Sequence, residues 1–232
     1  MSAKNKLQKF AEMATFPNAI QPALEEIKEK DFRLKGKWHE EFSNRNPIVL
    51  ELACGKGEYT VGLAAQYPEK NFIGIDIKGA RMWKGAKYAL ENQLTNVRFL
   101  RTRIDFIESF FAKNEVDEIW ITFPDPQPQK NRIRKRLTSP MFLRRYYNFL
   151  KPGGYINLKT DSDLLYEYTI EIIKQYQFPI VISNNNIYQT LDAFPAGIRQ
   201  ALEIKTFYEQ MWLKEGKTIK FIRFSLNENI GK

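Results

Sequence analysis

The sequence is poor in the residues and segments that build several common kinds of protein. Its 232 residues include one cysteine, Cys54, and one histidine, His39. A single cysteine excludes an intramolecular disulfide and favours a cytoplasmic location. One cysteine and one histidine also argue against a Cys/His zinc site, so no metal is expected. No apolar run approaches the ~20 residues that span a bilayer, and the polar start MSAKNKLQKF lacks the apolar core of a secretory signal.

Acidic residues are outnumbered by basic ones. The chain has 36 Lys and Arg against 27 Asp and Glu, which gives a net charge of +9 and a pI near 9.4. Such a surplus favours a polyanionic partner, and nucleic acid is the commonest one. No basic amphipathic helix with a strong apolar face stands out, so a membrane surface is disfavoured as the partner. The 43% share of hydrophobic residues is typical of a soluble globular chain.

The pattern of polar and apolar residues changes near Pro47. The first 45 residues are polar and weakly periodic, which predicts a basic, partly flexible extension at 1–45 and a single domain at 46–232. From Pro47 on, short apolar runs alternate with helical patterns, which predicts an α/β fold: a mostly parallel sheet with helices on both faces. Residues 206–226 read as two strands joined at KEGK. This combination predicts a Rossmann-like methyltransferase fold with seven strands and a C-terminal antiparallel hairpin.

A glycine turn, ELACGKGEY, ends the first predicted strand and indicates a ligand site. Gly55 and Gly57 would let the backbone approach a ligand closely. Glu51 lies in an apolar strand, where a carboxylate is costly unless it is paired. Asp76 ends the second strand about 20 residues later, where an acid accepts hydrogen bonds from ribose hydroxyls. The turn lacks the third glycine of the dinucleotide fingerprint and the G-K-[ST] ending of a phosphate loop. It therefore suits a nucleoside such as S-adenosyl-L-methionine and weakens a nicotinamide dehydrogenase reading.

A second stretch, FPDPQPQKNRIRKR, combines one fixed acid with a dense run of cations. Asp125 stands between Pro124 and Pro126, which restrict the loop and help to hold the carboxylate still. Because Asp125 follows the fourth strand, we expect it at the ligand edge of the sheet. The cations suit phosphate contacts that position a nucleic acid without reading its sequence; they are Lys130, Arg132, Arg134, Lys135 and Arg136. The alternative without a functional role is a surface turn followed by a solvated charged loop.

Six motifs together resemble a known family. ELACGKG, GIDI, FPDPQPQKNRIRKRLT, KPGG, LKTD and TFYE stand in the order and at the spacing of bacterial tRNA (guanine-N7-)-methyltransferases, over about residues 45–226. The resemblance implies a class I methyltransferase that uses S-adenosyl-L-methionine to methylate N7 of the guanine at position 46, in the tRNA variable loop. It implies tRNA as the partner, no membrane, no required protein partner, and a monomer or homodimer.

The resemblance also implies roles for individual residues. Asp125 would be the catalytic acid at the methyl-transfer site. The cofactor would be held by Glu51, Gly55, Gly57, Asp76, Arg103, Ile104 and Asp125. The tRNA would be contacted by Gln129, Lys130, Arg132, Asp161, Thr206 and Glu209.

This sequence departs from the family pattern at two places. Arg103 stands where the family usually has an acid near the adenine, so the backbone of Ile104 or the side chain of Asp105 would serve there. Gln127 and Gln129 replace the family's tryptophan and lysine, so Lys130 or Arg132 would take over a phosphate contact.

The expected chemistry suits a site with acids and no histidine base. Guanine N7 is already a lone-pair acceptor, so its methylation needs alignment and stabilisation of the purine as it becomes cationic. Two other functions stay open. Methyltransferases acting on adenine N6 or cytosine N4 resemble this chain in the cofactor half, but use an Asp/Asn-Pro-Pro-aromatic motif where Pro126 is followed here by Gln127. A non-catalytic RNA-binding protein on the same fold is the other alternative.

Overall fold

The computed structural model describes residues 3–28 and 31–231. The chain divides into two compact units, Met1–Ala112 and Lys113–Lys232. Across the described residues no helix is both long and apolar enough to cross a membrane. The predicted domain boundary near residue 45 stays a prediction.

Unit 1 forms a parallel sheet from alternating strands and helices. Its helices are α1 (Ala3–Met13), α2 (Glu25–Lys28), α3 (Trp38–Phe42), α4 (Glu58–Gln66) and α5 (Gly79–Glu91), with a 3-10 helix at Ile104–Ser109. Its strands are β1 (Ala19–Ile20), β2 (Ile48–Leu52), β3 (Asn71–Asp76) and β4 (Val97–Arg101). They lie in the order β1-β4-β3-β2, with parallel pairs throughout. The carboxyl ends of β2, β3 and β4 therefore meet at one edge.

The segment before Pro47 supplies part of the core of unit 1. Met13 and Trp38 are fully buried. The Trp38 indole N–H donates to the Phe110 carbonyl at 2.8 Å, and its ring stacks on Phe111 with 5.4 Å between centroids. The polar composition of this segment conceals these contacts, because a few widely spaced apolar side chains make all of them.

Unit 2 carries a mixed sheet. Its strands are β5 (Val116–Thr122), β6 (Leu150–Thr160), β7 (Ile180–Asn184) and β8 (Lys220–Ser225). Its helices are α6 (Pro140–Phe149), α7 (Asp163–Tyr176), α8 (Ala196–Glu203) and α9 (Phe207–Lys214), with 3-10 helices at Lys130–Lys135, Ile187–Gln189, Leu191–Ala193 and Glu228–Gly231. In the order β5-β6-β8-β7, β5 and β6 are parallel, and β8 is antiparallel to both of its neighbours.

The C-terminal antiparallel pairing is present, but its first strand lies earlier in the chain than the sequence predicts. β8 pairs with β7, and residues 207–214 form the helix α9 instead of a strand. The Thr206 hydroxyl accepts a hydrogen bond from the Glu209 amide at 3.2 Å and caps this helix. The aromatic residues of this stretch favour a strand locally, and the cap decides for a helix. With β1 and β7, the described residues contain eight strands where the sequence predicts seven.

Candidate active site

Unit 1 brings all of the predicted cofactor residues except Asp125, which belongs to unit 2, to or near the carboxyl ends of three neighbouring strands. Asp76 ends β3 beside Arg101 of β4. The turn with Gly55 and Gly57 follows β2, and Arg103 follows β4. Ligands of parallel α/β sheets bind at this edge. The three turns therefore lie where the sequence predicts a ligand site, and a nucleoside as its ligand stays a prediction here.

Asp76 joins two of these turns. Its Oδ2 accepts a hydrogen bond from the Gly55 amide at 3.0 Å, and its Oδ1 accepts one from the Lys78 amide at 2.8 Å. The side chain is half-buried. A carboxylate oxygen can accept more than one hydrogen bond, so Asp76 can also accept from ribose hydroxyls. The carboxylate orients the glycine turn and stays able to bind a ligand.

Glu51 is a buried carboxylate with a hydrogen-bond partner. It is 3% exposed, and the Thr60 hydroxyl donates to its Oε2. Burial raises the pKa of the neighbouring Cys54 thiol well above its usual value, and the charges of Glu51 and Asp76 raise it further. Cys54 is therefore a neutral packing residue, held beside the two carboxylates of the predicted cofactor site.

The two glycines of the turn are required for different reasons. Both have left-handed backbones, with φ of +57° at Gly55 and +70° at Gly57. A Cβ at Gly57 would lie 2.4 Å from Phe99 Cε1, whereas the nearest atom to a Cβ at Gly55 is the Ala53 carbonyl at 4.0 Å. Packing against Phe99 thus accounts for Gly57. Only Gly55 borders open space that a ligand could enter, and a cofactor contact at Gly57 stays a prediction.

The residues after β4 are partnered with one another. Arg103 forms an ion pair with Asp105, with 3.1 Å between Nη2 and Oδ2, and its guanidinium lies over the Phe106 ring. Ile104 begins the 3-10 helix that follows. Asp105 is thus engaged by Arg103 in this structure, so it is a poorer adenine acceptor than the backbone of Ile104. The adenine contact itself stays a prediction.

Helix α1 lies beside this edge, and sequence reasoning missed it. The Trp83 indole of α5 donates to Glu12 at 2.9 Å, and Lys9 lies 4.4 Å from the Trp83 ring centroid. Phe10 lies under the Arg101 guanidinium at 4.8 Å. An added Cβ at Gly79, in the turn after Asp76, would lie 2.9 Å from the Phe10 ring. The apolar residues at every third position of α1 were the available signal.

A cavity of about 350 Å³ opens between α4 and α5. Val61, Ala65 and Tyr88 supply much of its apolar wall. None of the predicted cofactor residues line this cavity. Lys56 and Glu58, on either side of Gly57, also line it, and we assign no ligand to it.

In unit 2, Asp125 is exposed in a loop with an unusual backbone. Its Oδ1 accepts a hydrogen bond from the Gln127 amide at 3.0 Å, which closes a tight turn. Phe123 and Gln127, on either side, have left-handed φ values of +48° and +46°. Such conformations cost energy for residues other than glycine and concentrate at functional sites. The loop is therefore built to present one carboxylate in one orientation.

Arg136 clamps this loop from inside. Its guanidinium donates to the carbonyls of Pro126 at 3.0 Å and Gln127 at 3.2 Å, and it lies 4.4 Å from the Tyr168 ring centroid. At 5% exposure it is not available for a phosphate contact. The other four cations of the run are exposed; they are Lys130, Arg132, Arg134 and Lys135. The predicted cation patch is therefore divided into one structural arginine and four surface charges.

Asp161 directly follows β6, which lies next to β5, the strand that leads to Asp125. β5 and β6 are parallel with Thr122 beside Lys159, so both acids follow the same edge of unit 2. Asp161 Oδ2 lies 3.5 Å from Lys217 Nζ, and its carbonyl accepts from Lys220 Nζ at 3.0 Å. Gln129, Lys130 and Arg132 continue the Asp125 loop on the exposed surface.

Thr206 and Glu209 belong to the start of α9, and they differ in exposure. Thr206 is half-exposed, whereas the Glu209 side chain is fully buried. Lys159, two residues before Asp161, forms an ion pair with Glu209 at 2.8 Å. Unit 2 thus brings the loop of Asp125, Asp161 and the start of α9 to the carboxyl ends of β5 and β6.

Comparison with known proteins identifies the family of this chain. A family model described as "Putative methyltransferase" matches residues 45–222. A tRNA (guanine-N(7)-)-methyltransferase of Christiangramia forsetii is 52% identical over 227 residues, covering 97% of this chain and 100% of that protein. A protein of the same name from Bacteroides thetaiotaomicron is 50% identical over 224 residues, covering 96% and 86%.

Solved structures confirm the predicted fold class. The 16S rRNA methyltransferase KamB aligns with a TM-score of 0.61 at 14% identity, over 83% of this chain and 93% of that one. A structure titled an antibiotic related methyltransferase aligns with a TM-score of 0.60 at 18% identity, over 88% and 98%. At these identities the likeness shows the α/β class I methyltransferase fold alone. Together with the family model and the two close relatives, it establishes that the chain belongs to the methyltransferase family whose members include the tRNA (guanine-N(7)-)-methyltransferases.

Proposed function

We propose that this protein transfers the methyl group of S-adenosyl-L-methionine to N7 of a guanine in tRNA. The observation that carries the proposal is the Asp125 loop: an exposed carboxylate fixed by a turn and by Arg136, followed by four exposed cations. The relatives named tRNA (guanine-N(7)-)-methyltransferase align along almost the whole chain, so they include this loop. The target at position 46 of the variable loop rests on the family resemblance.

The residues of unit 1 fit a nucleoside cofactor. Asp76 would accept from ribose hydroxyls, and the two backbone amides that orient its carboxylate support this role. Gly55 leaves open space beside the turn, and Glu51 with Thr60 supports the turn from inside. When bound, S-adenosyl-L-methionine supplies an electrophilic methyl group on a sulfonium. This chain's contribution is to hold the nucleoside at the strand ends.

The substrate half needs no general base. Guanine N7 carries a lone pair and no proton, so nothing has to be removed from it before it is methylated. The purine becomes cationic as the bond forms. Asp125 would stabilise that charge and accept from the guanine N1 and N2 hydrogens, because a fixed carboxylate acts most strongly where charge develops. The exposed cations would hold phosphates and so align the base.

Base amino groups are less suitable substrates for this loop. In the Asp/Asn-Pro-Pro-aromatic motif of such enzymes, the aromatic residue after the acid stacks on the target base. Here Gln127 occupies that region, and its carbonyl is held by Arg136. The loop therefore offers a charge to the purine and no aromatic face at that position.

The experiment is methyl transfer from labelled S-adenosyl-L-methionine to tRNA that lacks N7-methylguanosine, followed by nucleoside analysis. We expect labelled N7-methylguanosine, and chain scission at the modified base should map it to the variable loop. Asp125→Ala should abolish the product even when the cofactor is saturating. Label in an N6-methyladenine or N4-methylcytosine nucleoside, or tight tRNA binding without label, would refute the proposal.

A further inference from the structure

Unit 2 contains a buried ion pair that the proposed chemistry does not use. The side chains of Lys159 in β6 and Glu209 in α9 are both 0% exposed, with 2.8 Å between Nζ and Oε1. The Tyr188 hydroxyl donates to the same oxygen at 2.6 Å. Buried charges are costly unless their hydrogen bonds are satisfied, so a pair of this kind needs a reason.

Lys159 also holds the end of the preceding helix. Its Nζ donates to the carbonyls of Leu202 at 2.8 Å and Ile204 at 3.0 Å. Carbonyls at the C-terminus of a helix lack partners within that helix, so Lys159 supplies them for α8. A single ammonium group thereby joins the end of α8, the start of α9 and the strand that leads to Asp161.

The TFYE motif has a local structural meaning. Thr206 is the N-cap of α9, and Glu209 is the third residue of the helix, the spacing of a capping box. Both Glu209 oxygens lie within reach of Lys159, at 2.8 and 3.0 Å. The intervening Phe207 and Tyr208 are 52% and 43% exposed. The acid of the motif thus points into the protein while the residues between cap and acid face outward.

We propose that Glu209 is an internal anchor and makes no contact with tRNA, and that Lys159 and Tyr188 are further positioning residues of the substrate half. Together they fix Thr206 and the exposed edge of α9 against β6, the strand that leads to Asp161. This inference deepens the proposed function and rests on it for its activity readout.

The test compares Lys159→Met, Glu209→Gln and the double variant with the wild type. Each single variant leaves a buried charge without its opposite charge, so we expect kcat/KM for unmodified tRNA to fall by roughly tenfold to a hundredfold. The cofactor dissociation constant should not change. The double variant removes both charges, so it should recover part of the lost activity and melting temperature, while the Leu202 and Ile204 carbonyls still lack their donor.

Three further variants sharpen the comparison. Tyr188→Phe removes one hydrogen bond to Glu209 and should cost less activity than Glu209→Gln. Lys159→Arg keeps the charge and should retain more activity than Lys159→Met. Lys151→Met is the matched control, since it breaks the partly exposed Lys151–Asp117 pair in the same unit and should leave activity unchanged.

Two results would overturn the inference. If Glu209→Gln and the double variant were equally inactive while both kept the wild-type melting temperature, Glu209 would touch the tRNA itself. If neither single variant lost activity, the pair would not position the substrate half. Wild-type protein that made no N7-methylguanosine would refute the proposed function alone. The coupling of melting temperatures among the four proteins would then still decide whether Lys159 and Glu209 act as one anchor.

Discussion

At the scale of single residues, Asp125 offers the most direct test of the chemistry. Asp125→Asn keeps an oxygen that can accept from the Gln127 amide, so the turn should survive. The negative charge is lost, and we expect kcat at saturating cofactor to fall by about a hundredfold or more. Single-turnover methylation of unmodified tRNA measures this. Asp192→Asn is the control, because Asp192 is a fully exposed acid of the same unit. Wild-type turnover in Asp125→Asn would contradict the assigned role.

The Lys159 anchor predicts a decline of activity with rising pH. Burial lowers the pKa of Lys159 to about 8, although Glu209 opposes this with its charge and hydrogen bond and Lys205 adds to the lowering. As the pH rises through about 8, the neutral amine loses its hold on Glu209, and kcat/KM for tRNA should fall. Lys159→Arg stays charged and should lack this decline. The same alkaline decline in both proteins would assign it to another group.

The same pKa shift predicts an opposite trend in stability. Lys159 titrates near 10.5 in the unfolded chain and near 8 in the folded protein. Between these values the unfolded state binds more protons, so the contribution of Lys159 to the free energy of unfolding rises with pH and is lost as the pH falls through about 8. Urea unfolding of wild type and Lys159→Met at several pH values measures the difference. It should shift in favour of the wild type above about pH 8, and a constant difference would contradict the shift.

Sequence reasoning reached the strand-end acids and missed the interior of the substrate half. Asp76, Asp125 and Asp161 follow apolar runs, and the parallel-sheet rule puts such residues at one edge of each unit. The burial of Glu209 and Arg136 could not be predicted, since both are charged residues in polar stretches. Only tertiary contacts show that one pairs with Lys159 and the other binds loop carbonyls.

At the scale of elements, the glycine turn predicts two unequal substitutions. Gly55→Ala should cost about 1–2 kcal/mol of stability, from left-handed backbone strain alone. Gly57→Ala adds a clash with the Phe99 ring and should cost about 2–5 kcal/mol. Urea unfolding with the linear extrapolation compares the two variants. Equal losses would show that Phe99 can move aside and would contradict this prediction.

In the loop after β5, the buried Arg136 and the exposed cations should have separable effects on catalysis and on tRNA binding. Arg136→Met frees the carbonyls of Pro126 and Gln127, so kcat should fall about tenfold or more through misplacement of Asp125. The salt dependence of tRNA binding should not change, because Arg136 is buried. Arg132→Met should do the reverse, with a weaker salt dependence and nearly normal kcat. Filter binding at several salt concentrations, beside single-turnover assays, distinguishes the two effects.

Elements with strong local signals agree with the sequence, and α9 does not. β2 and β3 are short runs of mostly apolar, buried residues, and the Ser162 side chain caps α7 by accepting from the Leu165 amide. Residues 207–214 contain aromatic residues that fit a strand as well as a helix. The choice is made by the Thr206 cap and by the burial of Glu209, which lie beyond periodicity. β1 has two residues, too few for any pattern to predict it.

At the scale of the whole molecule, the net charge of +9 predicts salt-sensitive tRNA binding. Each phosphate contact contributes about 0.7–0.9 to the slope of log K against log salt concentration. Neutralising the four exposed cations of the patch together should therefore reduce the slope by roughly 3. Cofactor affinity should stay unchanged. A slope that did not fall would place the phosphate contacts elsewhere on the basic surface. The choice between monomer and homodimer stays a prediction.

The two left-handed residues beside Asp125 imply a trade-off between folding and activity. Gln127 adopts a conformation that glycine adopts without strain, and its contacts with Asp125 and Arg136 use backbone atoms only. Gln127→Gly would keep those contacts, relieve the strain and loosen the loop. A screen for thermostability would thus select a change that a screen for turnover rejects. At this strained position, a gain in thermal stability would come with a loss of turnover.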